Sequence, residues 1–301
     1  ANSERPMTKM TFDTSTCTRC GLCVDVCPNR IPRFDASNSV YADPLRVEAC
    51  FRCGHCMAIC PTESVVVSGL NYGKDFFPLP EVKIEPKPFY DLISTRRAVR
   101  NFTDREVEAE KLEDIVNAIS FSPPGFPPLK FELIVVNSKT VMKESLPLMV
   151  DLYDSLLKAL GNPIKRHFIK REVGKRRFLT MQRHLVPLMK RSLPGLREGS
   201  EDTITRGAPA MILLLSRKGE EEISADIHIA AAYGMLSAHS LGLGASIMDI
   251  IPPAINNKRE LRALFGLRDD QEVVSSIIVG YPRHRFQRGI SRKIKSVQWV
   301  G

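Results

Sequence analysis

Apolar residues fall along this chain at two spacings. Between Glu106 and Ser120, Val107, Leu112, Ile115, Val116 and Ile119 share one face at helical spacing, which predicts an amphipathic helix. Phe89–Thr95, Val141–Leu160 and Asn257–Phe265 also read as helices, and Asp226 is placed to cap a long one over about Ile227–Leu241, stopped by Gly242. Continuous β-branched or aliphatic runs read instead as strands: FELIVVN (131–137), expected to be buried, AMILLLS (210–216) just after Pro209, ASIMDI (245–250) and EVVSSIIVGYP (272–282). Near the N-terminus, Met10–Asp13 and Val65–Ser68 are two further short strand candidates. The stretch 161–205 is basic and its shape is not readable from the sequence; an insertion of this kind can serve as a lid or an entrance flank.

Between the two patterned regions lies NYGKDFFPLPEVKIEPKPFY, in which Pro78, Pro80, Pro86 and Pro88 favour extended backbone. The expected organisation is a small domain over 1–72, a semi-rigid linker over 73–88 and a larger domain over 89–301. Helices and strands around one core make the class α+β. A dinucleotide-binding fingerprint is missing: Gly242-Leu-Gly244 follows a helix, precedes a strand and has no third glycine. No apolar run nears the roughly 20 residues that span a bilayer. The segment ANSERPMTKM is polar, without a signal-type apolar region, so a cytoplasmic protein with no membrane partner is expected.

Charge separates the two regions. The net charge is +9, yet residues 1–90 are balanced, so the excess lies entirely beyond residue 90. It concentrates at Lys165, Arg166, Lys170, Arg171, Lys175, Arg176, Arg177, Arg183, Lys190 and Arg191, opposed only by Glu172. A solvated helical face is one reading; a docking surface for an acidic ferredoxin or flavodoxin donor, or for an anionic substrate, is the other. Aromatic residues are sparse there and no recognition motif is present, so nucleic acid is not expected.

All eight cysteines fall in CTRCGLCVDVCP (17–28) and CFRCGHCMAICP (50–61). Disulfides would need an oxidising compartment. Zinc takes pairs of CxxC-like ligands and leaves this spacing unexplained. Each half is C-x2-C-x2-C-x3-C-P, in which three close thiolates wrap one iron–sulfur cubane and the fourth ligates the other. Two 4Fe–4S clusters are therefore expected, one on Cys17, Cys20, Cys23 and Cys60, the other on Cys50, Cys53, Cys56 and Cys27. Pro28 and Pro61 end the short helices, and Gly21 and Gly54 let backbone pass close to sulfide. A pair of zinc knuckles is the alternative. The stretch from about Met7 to Tyr72 resembles the bacterial two-cluster ferredoxin domain, with every ligand position filled.

STRRAVRNF (94–102) brings Arg96, Arg97 and Arg100 within five residues, and guanidinium forks suit phosphate oxygens. By itself such a cluster is an ordinary basic patch. The string resembles the signature of the nitroreductase flavoproteins, with Arg96, Arg97, Ala98, Val99, Arg100 and Phe102 at matching positions. GAPAMILLL (207–215), AHSLGLGASIMD (238–249) and GYPRHRFQRGISRK (280–293) resemble further elements of that family in the same order. The resemblance implies a small ferredoxin domain followed by a nitroreductase-like domain with a mixed sheet, FMN at a homodimer interface, Arg292 with Lys293 on its phosphate, and the backbone of Met248, Asp249 and Ile250 beside its ring. Two features depart from the family: Ala98 stands for the usual serine, and SPPGFPPLKF (122–131) stands for a polar loop, leaving backbone around Pro123, Pro124 and Gly125 to line the ring.

The implied activity is a relay, from an external donor through the clusters to FMN and on to a small-molecule acceptor, nitro or other. An NAD(P)H oxidoreductase whose electrons leave through the clusters, and a non-enzymatic electron carrier or redox sensor, stand beside it. His167, His184, His228 and His239 are the histidines near which a proton donor could be sought, and none is assigned that role.

Overall fold

The computed structural model describes residues 8–81, 83–125, 127–220 and 223–301. Met7, the expected start of the ferredoxin resemblance, lies outside them, as do Val82 of the linker and Phe126 of the proline-rich stretch. The chain forms two compact units, one of Ala1–Lys83 with Pro124–Lys130, the other of Ile84–Pro123 with Phe131–Gly301.

In the first unit, β1 (Met10–Phe12) pairs antiparallel with β4 (Val65–Val67), Met10 opposite Val67. Helices α1 (Leu22–Val26) and α2 (His55–Ala58) each end just short of the fourth cysteine of their run. A hairpin of β2 (Pro32–Phe34) and β3 (Val40–Ala42) was not legible in the sequence; its turn closes on Asp35, whose carboxylate accepts the backbone N–H groups of Ser37 and Ser39. Met10, Ile31, Val40, Met57, Val65 and Val67 form the core around Cys23 and Cys56. Tyr72, which opens the one-turn helix α3 (Tyr72–Asp75), donates its hydroxyl to the carbonyls of Met57 and Val65. Gly21 and Gly54 sit at φ 79° and 78°, so each is required for left-handed backbone at the helix start.

The second unit opens on α4 (Pro86–Thr95) and α5 (Ala109–Ser120). It continues through β5 (Glu132–Val136), α6 (Lys139–Gly161), α7 (Pro163–Val173), α8 (Lys175–Thr180), a π-helical turn at Met181–Leu185, and α9 (Val186–Glu198). β6 (Ala210–Arg217), α10 (Ser224–Ser240), β7 (Gly244–Ile247), α11 (Ile251–Asn257), α12 (Arg259–Leu264) and β8 (Gln271–Gly280) complete it. The sheet order is β5-β6-β8-β7, all antiparallel; a parallel bridge from Ala98 to Ala245 makes the edge mixed.

β6 explains the three layers. Its side chains alternate between faces, and both faces are dry. Met211, Leu213 and Leu215 pack with Met149, Tyr153, Met189 and Ile251 on one side. Ala210, Ile212 and Leu214 pack with Ile115, Ile119, Ile227 and Ala231 on the other. The expected burial of FELIVVN is not met in the same way: β5 is an edge strand and mostly half-buried.

Prolines account for the main differences from the sequence reading. Pro86 and Pro88 were expected in extended linker, yet α4 starts at Pro86. α11, with Pro252 and Pro253 in its first turn, was missed, and the expected strand over 245–250 ends at Ile247. First-turn N–H groups have no intrahelical acceptor, so proline costs little there. Asp226 lies in the first turn of α10 rather than at its cap. The stretch 161–205 is mostly helical. Among the described residues, no helix is long and apolar enough to cross a membrane.

Candidate functional site

The cysteines gather in two hollows of the first unit. One, of about 330 Å³, is lined by Cys50, Cys53 and Cys56 with Cys27. The other, of about 300 Å³, is lined by Cys17, Cys20 and Cys23 with Cys60. Each run thus lends its last cysteine to the other's hollow. Electrostatics repeat the pairing. Burial, then the nearby Cys60, Cys17 and Cys20, push the Cys23 thiol up to about 11. Burial, then Cys53, Cys27 and Cys50, push Cys56 up to about 12. All eight thiols are free, and among the described residues no three acidic, histidine or cysteine side chains close on a single ion. Four sulfurs line each hollow, three from one run and the fourth from the other, which is the arrangement that the C-x2-C-x2-C-x3-C-P spacing leads one to expect of a cluster site. Backbone N–H groups reach the fourth sulfur of each run: Ile31 to Cys27 Sγ at 3.4 Å and Ser64 to Cys60 Sγ at 3.3 Å.

In the second unit, four separated sequence motifs converge at one end of the sheet. Val99 N–H donates to the Ala245 carbonyl at 3.2 Å, Thr103 N–H to Tyr281 and Arg283 N–H to Asn101. Two glycines permit this. A Cβ on Gly244 would fall 2.6 Å from Val99 Cβ; one on Gly280 would fall 2.6 Å from Pro209 and 2.9 Å from Phe102. Tyr281 ties the start of α5 to the same end, donating to Glu108 at 2.6 Å and accepting from Lys111 Nζ at 2.7 Å. The Tyr281 hydroxyl is the main reason the half-buried Glu108 carboxyl is held down at about 2. We expect Gly244→Ala to destabilise the second unit by roughly 1–3 kcal/mol through overpacking. Thermal unfolding reads it; an unchanged midpoint would mean that Val99 does not sit on Gly244.

The seated segment carries the arginines. Arg96 is pulled down from the usual arginine value by burial and by the nearby Arg292 and Arg97 charges. Arg97 Nη1 donates to the Ser94 and Arg96 carbonyls at 2.6 and 2.7 Å, while its Nε is buried with no partner. Gly289 passes close to Arg97, its Cβ position 3.1 Å from Nη2. Among the described residues, none of Arg96, Arg97, Arg100, Arg292 and Lys293 joins an ion pair. Three cations crowded without a counter-charge fit a multiply charged anion such as phosphate.

A family model for nitroreductases matches residues 93–281. The chain belongs to the nitroreductase family. A 4Fe–4S dicluster domain model matches residues 9–61 ahead of that nitroreductase region. Mouse (Mus musculus) iodotyrosine deiodinase 1 is 23% identical over 214 residues, 68% of this chain and 66% of that protein, just under two thirds of the relative's length. A Bacteroides fragilis nitroreductase with bound FMN superposes with a TM-score of 0.50 at 16% identity, over 70% of this chain and 97% of that one. An FMN- and NADPH-dependent nitroreductase from sphigopyxis sp. strain HMH gives a TM-score of 0.50 at 18% identity, over 70% and 98%. These two likenesses speak for the nitroreductase fold.

Within the nitroreductase unit the expected site residues are not all alike. Arg96, Arg97 and Arg292 are together, and Ala98 is stitched to β7. Arg100 is exposed and does not act on Arg96. The Met248 backbone is already committed, its N–H to the Ser276 carbonyl and its carbonyl to Ser276 Oγ and Ile251 N–H. Among the described residues, the N–H groups of Asp249 and Ile250 meet no backbone acceptor and are the donors the loop has left. Tyr153, from α6, steadies it by donating its hydroxyl to the Ile250 carbonyl. Pro123 belongs to this unit, whereas Pro124 and Gly125 pack with the first. Ser122, just before Pro123, is 3% exposed with its hydroxyl unpartnered, and nothing in the resemblance marks it. A lone hydroxyl between a helix end and a proline run was the available signal.

Proposed function

We propose that this chain is an iron–sulfur flavoprotein oxidoreductase that takes electrons from a ferredoxin-type donor and reduces a small organic acceptor, nitro or other. The observation that carries the reading is the crowded trio Arg96, Arg97 and Arg292, without a counter-charge and with Arg97 Nε orphaned, in a chain that also gathers eight free thiols four by four. Two 4Fe–4S clusters and one FMN per chain are the complement these residues fit. When bound, the clusters exchange single electrons and FMN exchanges one or two.

Arg96, Arg97 and Arg292 hold the phosphate, with Lys293 assisting. The Asp249 and Ile250 N–H groups are the donors available to the flavin ring, kept in place by Ser276 and Tyr153. A homodimer belongs to the same reading. It is supported by a C-terminal segment in which Phe286, Ile290, Ile294, Val297 and Trp299 are all exposed, apolar surface that a second copy would cover.

Anaerobic isolation with iron, sulfide and flavin quantification tests the cofactor complement, and stopped-flow mixing tests the donor. Reduced ferredoxin or flavodoxin should reduce the protein quickly and NAD(P)H slowly; rapid flavin bleaching by NAD(P)H would overturn the donor assignment. The basic helices supply a second test. Among the described residues, none of the ten cations between Lys165 and Arg191 joins an ion pair, and α7 buries no residue. Reversing Lys175, Arg176 and Arg177 to glutamate should slow reduction by an acidic donor roughly tenfold at low salt and flatten its salt dependence. An unchanged rate across salt would remove the docking role.

A further inference from the structure

His239 stands in the last turn of α10, near enough to Arg96 and Arg97 to feel their charges, and no role described so far uses it. Its Nε2 lies 3.0 Å from Thr95 Oγ1, the residue directly before Arg96. The direction of that bond is decided by Thr95. The hydroxyl has one hydrogen, and it goes to the Asp91 carbonyl at 2.6 Å. Thr95 Oγ1 therefore accepts from His239, and Nε2 carries a proton in every state. Nδ1 is the titrating nitrogen.

Two influences oppose each other at this ring. A helix C-terminus favours a cation. Burial, then Arg96 and Arg97, disfavour one, and together they hold His239 below the ordinary histidine value. Among the described residues, α4, α5, β6, β7 and β8 pack on α10, and no charged group of theirs, Lys87 and Asp91 of α4 included, shifts the ring beside Arg96 and Arg97; Arg292 acts on Arg96. Burial, the larger of these influences, is set by the fold, so the part of the balance at His239 that a bound anion can change is the arginine charge.

We propose that His239 is the fourth cation of the phosphate cradle, taking one proton from solvent onto Nδ1 when a phosphate monoester settles among Arg96, Arg97 and Arg292. This rests on the flavin-phosphate reading of the trio. A dianion compensates the arginines, and the helix end then favours the protonated ring. The protonated ring adds attraction for the anion in return, since the two equilibria are linked. Affinity for FMN thereby gains a pH dependence that affinity for riboflavin lacks.

Isothermal titration of the flavin-free full-length chain with FMN, in buffers of different ionisation enthalpy, counts the protons exchanged. The FMN phosphate loses protons near its own second pKa of about 6, so the informative quantity is wild type minus His239→Gln. Glutamine keeps a donor to Thr95 and cannot titrate. We expect wild type to take up between about a half and one more proton per FMN than the variant at pH 7. We also expect the variant to bind FMN roughly tenfold more weakly at pH 6 and equally at pH 8, with no such difference for riboflavin.

Equal proton counts in the two proteins would overturn the role of His239, as would the same difference with riboflavin. Arg96→Ala separates the two levels. If it abolishes FMN binding while the proton counts match, the cradle stands and His239 is outside it. If FMN binding survives Arg96→Ala, the cradle itself is wrong and the inference falls with it.

Discussion

Arg96→Ala should weaken FMN binding by roughly a hundred- to a thousandfold. Truncating one partner of a partly buried, hydrogen-bonded charge pair costs about 2–5 kcal/mol, much of it from the phosphate left short of a partner. Burial and the Arg292 and Arg97 charges disfavour the Arg96 cation, so an anion placed among them relieves that repulsion. Riboflavin, without the phosphate, should bind the variant and the wild type alike. Stability should move the other way. Arginine is protonated in both the folded and the unfolded chain near neutral pH, so the depressed value of Arg96 means that its charge costs stability in the flavin-free protein at any such pH. The flavin-free variant should therefore melt no lower than flavin-free wild type. Equilibrium fluorescence titration and thermal unfolding read the two effects separately. Full flavin retention in the variant would end the phosphate assignment.

Cys60→Ser should remove the cluster of the other cysteines in its hollow, Cys17, Cys20 and Cys23, and leave the Cys27, Cys50, Cys53 and Cys56 site loaded. Iron and acid-labile sulfide per chain should fall by about half. Double variants make the crossing testable, because two cysteines of one site cannot be lost twice. Cys17→Ser with Cys60→Ser should lose no more iron than Cys60→Ser alone. Cys50→Ser with Cys60→Ser should lose nearly all of it. If each run instead served its own metal, the second pair would spare the Cys17–Cys27 run. Low-temperature EPR of the reduced variants shows which centre survives. The thiols raised by burial and by one another, Cys23 and Cys56, must lose their protons to ligate iron, so reconstitution of the empty protein should release protons and slow down as pH falls.

Local patterns carried much of this molecule. The spacing C-x2-C-x2-C-x3-C-P dictates how thiolates present themselves from a tight loop, α5 follows from a period of 3.6 residues, and β6 from a continuous apolar run. Three of the arginines and the glycine pairs were likewise visible as strings. Their meaning was not. Gly244 and Gly280 are small because Val99, Pro209 and Phe102 occupy the space a Cβ would take, and those neighbours lie far away in sequence. Arg292 acts on Arg96 across nearly two hundred residues, while Arg100, four residues from Arg96, is exposed. His239 gains its place only because Thr95 spends its single hydrogen on Asp91. Spacing along the chain thus determined the elements and the donor sets, since both depend on neighbours within a few residues. Which charges share one anion, which strand lies at the edge and which backbone N–H groups stay free were decided by the tertiary structure, because electrostatics and burial act through space.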